Sequence, residues 1–158
     1  MIRSLLAAAL LAAAIPAWAD ELPIRPDPVL TPGVVASTDE SEVCGRVDGL
    51  TYSQRHRKTT AAMKAEVFRR YGIDPATARQ HSWEIDHRVE LAIGGADDVR
   101  NLWPESGETR PNFHDKDRLE AEVWRRVCVH HTMTLAEGQA IFLGDWIEGY
   151  AKVFGRAP

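Results

Sequence analysis

Cysteine is scarce in this chain, with two residues, Cys44 and Cys128, among 158. No Cys-x-x-Cys pair exists, which excludes a structural zinc ribbon. Long apolar runs are equally scarce. Beyond the first nineteen residues nothing approaches the roughly 18–20 continuous apolar residues of a membrane-spanning helix, so a soluble protein with no membrane partner is expected. Positive charge is in deficit, with 19 Lys and Arg against 23 Asp and Glu and a net charge of −4. A chain of that balance is not an obvious partner for nucleic acid. Internal repeats are lacking, and low complexity is confined to one proline-rich stretch.

The first nineteen residues have a basic start at Arg3, an apolar run from Leu5 to Ile15, a break at Pro16 and a small-x-small site at Ala17-Trp18-Ala19. This pattern predicts a signal peptide over 1–19 and export to the periplasm or beyond, a retained anchor being the alternative. Cleavage leaves 139 residues, enough for one domain with a modest core. In an oxidising compartment Cys44 and Cys128 read as one disulfide, with two buried thiols as the alternative. The bridge would close a loop of 84 residues, a constraint of about 4 kcal/mol in the chain-entropy account.

Residues 20–43 carry Pro23, Pro26, Pro28 and Pro32 with several acids and no periodicity, the pattern of a flexible leader before a domain over 44–154. Asp48-Gly49 predicts a turn or short strand between Val47 and Tyr52. Met63, Val67, Phe68 and Tyr71 recur at helical spacing, with Thr59 or Thr60 to cap the start and Gly72 to end it. Asp74-Pro75 predicts a helical turn over Ala76–Gln80. Trp83, Ile85 and His87 alternate with Glu84, Asp86 and Arg88 as in a half-buried strand, which Val89–Ile93 is expected to continue up to Gly94-Gly95. A hairpin or Ω-like loop follows, and Leu102-Trp103 returns as a strand that Pro104 ends. Pro111 suits the first position of a helix running to about Val129. A capping box at Thr134-x-x-Glu137 opens a final helix with Leu135, Phe142, Trp146, Tyr150 and Val153 on its buried stripe. The expected class is α+β, a small antiparallel sheet with flanking helices.

Hydrolysis of a phosphodiester needs a base to deprotonate water and a positive group to neutralise the charge that builds on the phosphate. Adjacent Asp86 and His87 point to opposite strand faces unless the chain bends at Arg88, so one suits a metal and the other the attacking water. Asn112 offers a second metal ligand. At about 100° per residue, Asn112, Lys116 and Glu120 fall within roughly 80° of one another on the side of Leu119, Val123 and Val127, while His114 falls on the solvent side. Glu120 either holds a metal-bound water or pairs with Lys116 at i, i+4. Asn101, after the Gly-Gly loop, is suited to brace that loop and so orient His87. Between Tyr52 and Arg70 lie six basic residues and Glu66 alone. Within this patch Arg55, Arg57 and Lys58 are candidates for phosphate contact, the alternative being a solvated helix face.

Asp86-His87, Gly94-Gly95, Asn101-Leu102-Trp103-Pro104 and the run from Asn112 through Lys116-Asp117-x-Leu119-Glu120 resemble the HNH nuclease superfamily, and most of all its small secreted bacterial members. The resemblance covers about Thr51 to Tyr150. It implies a ββα-metal fold, a metal ligand at Asp86, a general base at His87, a bracing Asn101 and a second metal ligand at Asn112, where Asn stands in place of the third-letter His. Lys116 and Glu120 match motif positions whose roles vary between branches. An Asp and Asn oxygen set favours Mg²⁺ or Mn²⁺; with His114 as ligand, zinc or nickel would fit better. The resulting expectation is an exported, monomeric, metal-dependent endonuclease acting on DNA or RNA with little sequence preference. A noncatalytic nucleic-acid-binding module and a phosphodiesterase for a small or lipid substrate are the alternatives.

Overall fold

Each α-helix begins where a side-chain oxygen meets its free N–H groups. In the computed structural model, which describes residues 23–74, 82–108 and 110–158, Asp39 caps α1 (Glu40–Cys44), Thr51 caps α2 (Tyr52–His56) and Thr60 caps α3 (Ala61–Arg70). Asn112 caps α4 (Phe113–Cys128), Thr134 caps α5 (Leu135–Leu143) and Asp145 caps α6 (Trp146–Phe154). Thr51, Asn112 and Thr134 form full capping boxes with Gln54, Asp115 and Glu137. The expected signal peptide and the turn over Ala76–Gln80 lie outside the described residues. Among those described, no helix is long and apolar enough to cross a membrane.

The sheet is a single antiparallel pair, β1 (Trp83–His87) with β2 (Leu102–Ser106), in a register that sets Glu84 opposite Glu105 and Asp86 opposite Trp103. With six helices, the architecture among the described residues is α+β. Side chains alternate along a strand, so Glu84, Asp86, Trp103 and Glu105 share one face. The next rung beyond the pair, Arg88 N to Asn101 O at 2.6 Å, fixes the phase of the ladder. Bonded and non-bonded pairs alternate, so Ile85–Pro104 is non-bonded and the proline nitrogen points away from β1. Pro104 therefore lies inside β2 instead of ending it.

Three other expectations change. The strand stops at His87, and Leu91–Ile93 forms a 3-10 turn capped by Glu90. Gly94 closes that turn at φ +86°, and a Cβ on Gly95 would sit 1.9 Å from Val89 O, so the Gly-Gly pair is required by backbone shape and close approach. The expected final helix is two helices, because Gly144 ends α5 and Asp145 caps α6. Both still present the predicted apolar residues: Leu135, Phe142, Trp146, Tyr150 and Val153 join Leu119, Val123 and Val127 of α4 in one core with Val43, Tyr52, Val89 and Ile93. Each such side chain stabilises the fold by roughly 1.5–3 kcal/mol when fully buried.

The third change concerns the leader. Residues 23–43 are packed on the domain as a strap: Ala36 N donates to Gly94 O at 2.8 Å, Ala96 N to Val34 O at 2.9 Å and Gly33 N to Arg100 O at 3.1 Å. Thr31 is fully buried and its hydroxyl donates to Leu102 O at 3.0 Å. Backbone pairing of this kind needs no apolar periodicity, so composition alone reads as flexibility. Cys44 and Cys128 stand at disulfide distance with Cα atoms 5.1 Å apart, tying the end of α1 to the end of α4.

Candidate active site

β1 delivers Asp86 and His87 to the end of the sheet, where the chain bends at Arg88. The Arg88 guanidinium holds that bend from inside the protein, donating to the carbonyls of Thr31, Phe142 and Leu143. His87 is 1% exposed. Its Nε2 lies 2.9 Å from Asp97 Oδ1, while its Nδ1 has no hydrogen-bond partner and sits 4.0 Å from Asp86 Oδ1. Asp97 receives two further donors, the Thr59 hydroxyl at 2.5 Å and the Lys58 backbone N–H. Burial acts to raise the Asp97 carboxyl, but these three donors outweigh it and hold the group below its ordinary value. An ionised carboxylate only accepts hydrogen bonds, so Nε2 carries a proton, and in the neutral imidazole Nδ1 then keeps its lone pair.

The other face of β1 meets α4. Lys116, 1% exposed, reaches across so that its ammonium bonds both Asp86 and Glu120, with Glu105 Oε2 at 3.9 Å. Glu90 completes the group: one oxygen each from Asp86, Glu90 and Glu120 lie within 4.8 Å of one another. Neither oxygen of fully buried Glu105 has a hydrogen-bond partner. Burial pushes the carboxyls of Glu105 and Glu120 well above the usual range, despite the attraction of Lys116. Asp86 goes the other way, because the Lys116 ammonium overcomes the effect of burial and holds it below its ordinary value. Burial alone would lower the Lys116 amine, but Asp86 and Glu120 raise it well above the ordinary lysine value. Glu84 and Asp117 are raised as well, first by burial and then by the Asp86 charge.

This donor set is suited to a hard cation. Asp86, Glu90 and Glu120 bring carboxyl oxygens together beside Glu105, whose oxygens have no hydrogen-bond partner, and all-oxygen sets suit Mg²⁺ or Mn²⁺.

The predicted residues divide. Asp86 and His87 come together with Lys116 and Glu120. Asn101 is fully buried and engages backbone on both sides of the loop: its Oδ1 accepts from Val34 N at 3.2 Å and Val89 N at 2.9 Å, and its Nδ2 donates to Val89 O at 2.9 Å and Ala96 O at 2.8 Å. Asn112 is the N-cap of α4 instead of a first-turn residue. Its Oδ1 accepts from His114 N at 3.2 Å and its Nδ2 donates to Gly107 O at 3.4 Å, so the amide expected to bind metal is engaged in starting the helix. His114 is exposed. Arg57 and Lys58 are exposed beside the site, whereas the Arg55 guanidinium donates to Glu42 O at 3.0 Å and lies over the Tyr52 ring. Tyr52 is buried and stacked on His56.

Sequence reasoning missed Glu90, Asp97 and Glu105. Glu105 carried a signal, since it shares an alternation with Trp103 on the strand facing Asp86. Asp97, ten residues after His87, carried none beyond its place in the Gly-Gly loop.

Among known proteins the chain matches no family model, no curated sequence and no solved structure, so the likeness to the HNH superfamily rests on the motif residues quoted above.

Proposed function

We propose that this protein is an exported, divalent-metal-dependent endonuclease of the HNH kind, hydrolysing phosphodiester bonds of DNA or RNA with little sequence preference. The observation that carries this reading is the His87 imidazole, whose Nε2 is held by Asp97 while the buried Nδ1 faces Asp86 without a partner. A nitrogen so arranged is poised to take a proton from a water. The succession of β1, β2 and α4 around these residues supports the ββα reading, and the disulfide is compatible with export.

His87 Nδ1 accepts the proton of the attacking water. Asp86, Glu90 and Glu120 would hold the metal, which when bound would supply positive charge to the scissile phosphate and the departing oxygen. Lys116 keeps Asp86 ionised and holds both Asp86 and Glu120 in place. Asn101 holds the loop that carries Asp97. Arg57 and Lys58 grip the backbone through phosphates, a contact that carries no base sequence.

The test is digestion of plasmid, single-stranded DNA and RNA by the mature protein with a panel of divalent ions, an EDTA control and a His87→Ala variant. Cleavage that needs Mg²⁺ or Mn²⁺ and disappears in the variant is expected. Undiminished cleavage by His87→Ala would overturn the assignment of the base, and tight binding without cleavage under every ion would leave a noncatalytic binding module.

A further inference from the structure

We propose that Asp97 is a positioning residue for His87, and that it works as a latch closed by Lys58 and Thr59. For its catalytic consequence this rests on His87 being the base; the latch itself rests on geometry alone.

Three segments meet at one carboxylate. Asp97 Oδ1 accepts from His87 Nε2 at 2.9 Å and from Thr59 Oγ1 at 2.5 Å, and Oδ2 accepts from the Lys58 backbone N–H. Thr59 and Lys58 are 38 and 39 residues away in sequence, so these bonds join distant parts of the chain. Among the described residues no other group hydrogen-bonds the imidazole, whose Nδ1 is unpartnered. A neutral imidazole has two tautomers, and the one present follows from what its other nitrogen meets. Opposite Asp97 that nitrogen meets only an acceptor, so the proton stays on Nε2 and the lone pair of Nδ1 is directed to the Asp86 side.

The latch also sets the base relative to the substrate. Arg57 and Lys58 belong to the segment that closes on Asp97, and both side chains are exposed. One carboxylate thus holds the proposed phosphate grip and the proposed base in a common frame. A salt bridge serving stability alone would not need that arrangement, and its loss would leave the tautomer and the turnover of folded protein unchanged.

The experiment uses the mature chain labelled with ¹⁵N, with the two imidazole nitrogens of His87 assigned by comparison with His87→Gln. The parent is expected to show a protonated Nε2 and an unprotonated Nδ1. Asp97→Asn is expected to shift or mix the tautomers and to lower kcat about 10- to 100-fold, the usual cost of losing an outer hydrogen-bond partner, with KM nearly unchanged. Thr59→Val should move both readouts the same way by less, and Asp97→Glu should recover part of kcat. A parent imidazole protonated on Nδ1 would overturn the proposal, as would a folded Asp97→Asn variant with parental tautomer and kcat. If Asp97→Asn does not fold, the parent tautomer and Thr59→Val decide. If the parent proves not to cleave nucleic acid, the function reading fails while the tautomer measurement still judges the latch.

Discussion

Replacing Asn101 by Ala should cost this fold about 4 kcal/mol, from four neutral hydrogen bonds at about 1 kcal/mol each. The side chain is fully buried and makes four hydrogen bonds to backbone: from Val34 N and Val89 N, and to Val89 O and Ala96 O. Truncation leaves these groups without their partner, and the bonds to both Val89 groups lie in the interior. The orphaned groups at Val89 push the cost upward, because an unsatisfied buried group carries about 1–3 kcal/mol of desolvation.

Urea unfolding with the disulfide intact is the assay. With a slope of about 2 kcal/mol per molar, the midpoint should fall by about 2 M, and the melting temperature by roughly 8–16 °C at about 2–4 °C per kcal/mol for a chain of this size. Asn101→Asp sharpens the test, since the new carboxylate accepts from Val34 N and Val89 N but turns its other lone pairs on two carbonyls. That variant should regain stability as pH falls and the carboxyl takes up a proton. A midpoint shift under about 0.5 M for Asn101→Ala, with the slope unchanged, would refute the claim that this side chain holds the strap, the loop and the strand end together.

Burial holds Glu105 and Glu120 above the ordinary glutamate value of 4.5, so the native state keeps protons that the unfolded chain has lost above that pH. Stability in EDTA should therefore decline from about pH 5 towards pH 8, and Mn²⁺, which competes with those protons, should offset the decline; a metal-free urea midpoint that rises across the range would contradict this. Lys116→Met removes the ammonium between Asp86 and Glu120 and should cost about 3–5 kcal/mol near neutral pH, less in acid, with a divalent ion stabilising the variant more than the parent in thermal melts. Reduction and alkylation of Cys44 and Cys128 should cost about 4 kcal/mol in urea, and a loss below about 1 kcal/mol would argue that the strap and α4 hold without the bridge. An oligonucleotide should bind His87→Ala measurably only with a divalent ion present, as judged by fluorescence anisotropy, and equal binding in EDTA would contradict the cation's part in recognition.

What was legible in the sequence was what repeats or caps locally. The spacing of Met63, Val67 and Tyr71, the Trp83–His87 alternation and the Leu119, Val123, Val127 stripe each correspond to an element found where expected. Helical phase also placed Lys116 and Glu120 on the face towards the sheet. The strap was illegible because it is held largely through its own backbone groups, which leave no side-chain pattern. The Gly144-Asp145 break was legible as an end and a cap, but the aromatic stripe running through it masked the signal. Glu90 and Glu105 look like solvated acids in a chain with 23 of them. Strand register and the 3-10 turn bring them to Asp86, and neither follows from local periodicity.

The signs of charge in the site bear on what the protein needs before any chemistry begins. A phosphodiester placed about 4 Å from a single carboxylate is repelled by about 4 kcal/mol at an effective dielectric of 20. Asp86, Glu90 and Glu120 stand together, and the Lys116 ammonium is already shared between two of them. The one ammonium at the site is thus already engaged by carboxyl groups. On the proposed reading Arg57 and Lys58, both exposed, would attract a nucleic acid, and Lys58 is anchored through its backbone to Asp97. On the same reading, a divalent ion held by Asp86, Glu90 and Glu120 would offset that repulsion as a strand approaches the base. If the protein is the nuclease proposed, the cation would govern binding as well as cleavage, with the basic segment setting where the strand lies and the ion its entry.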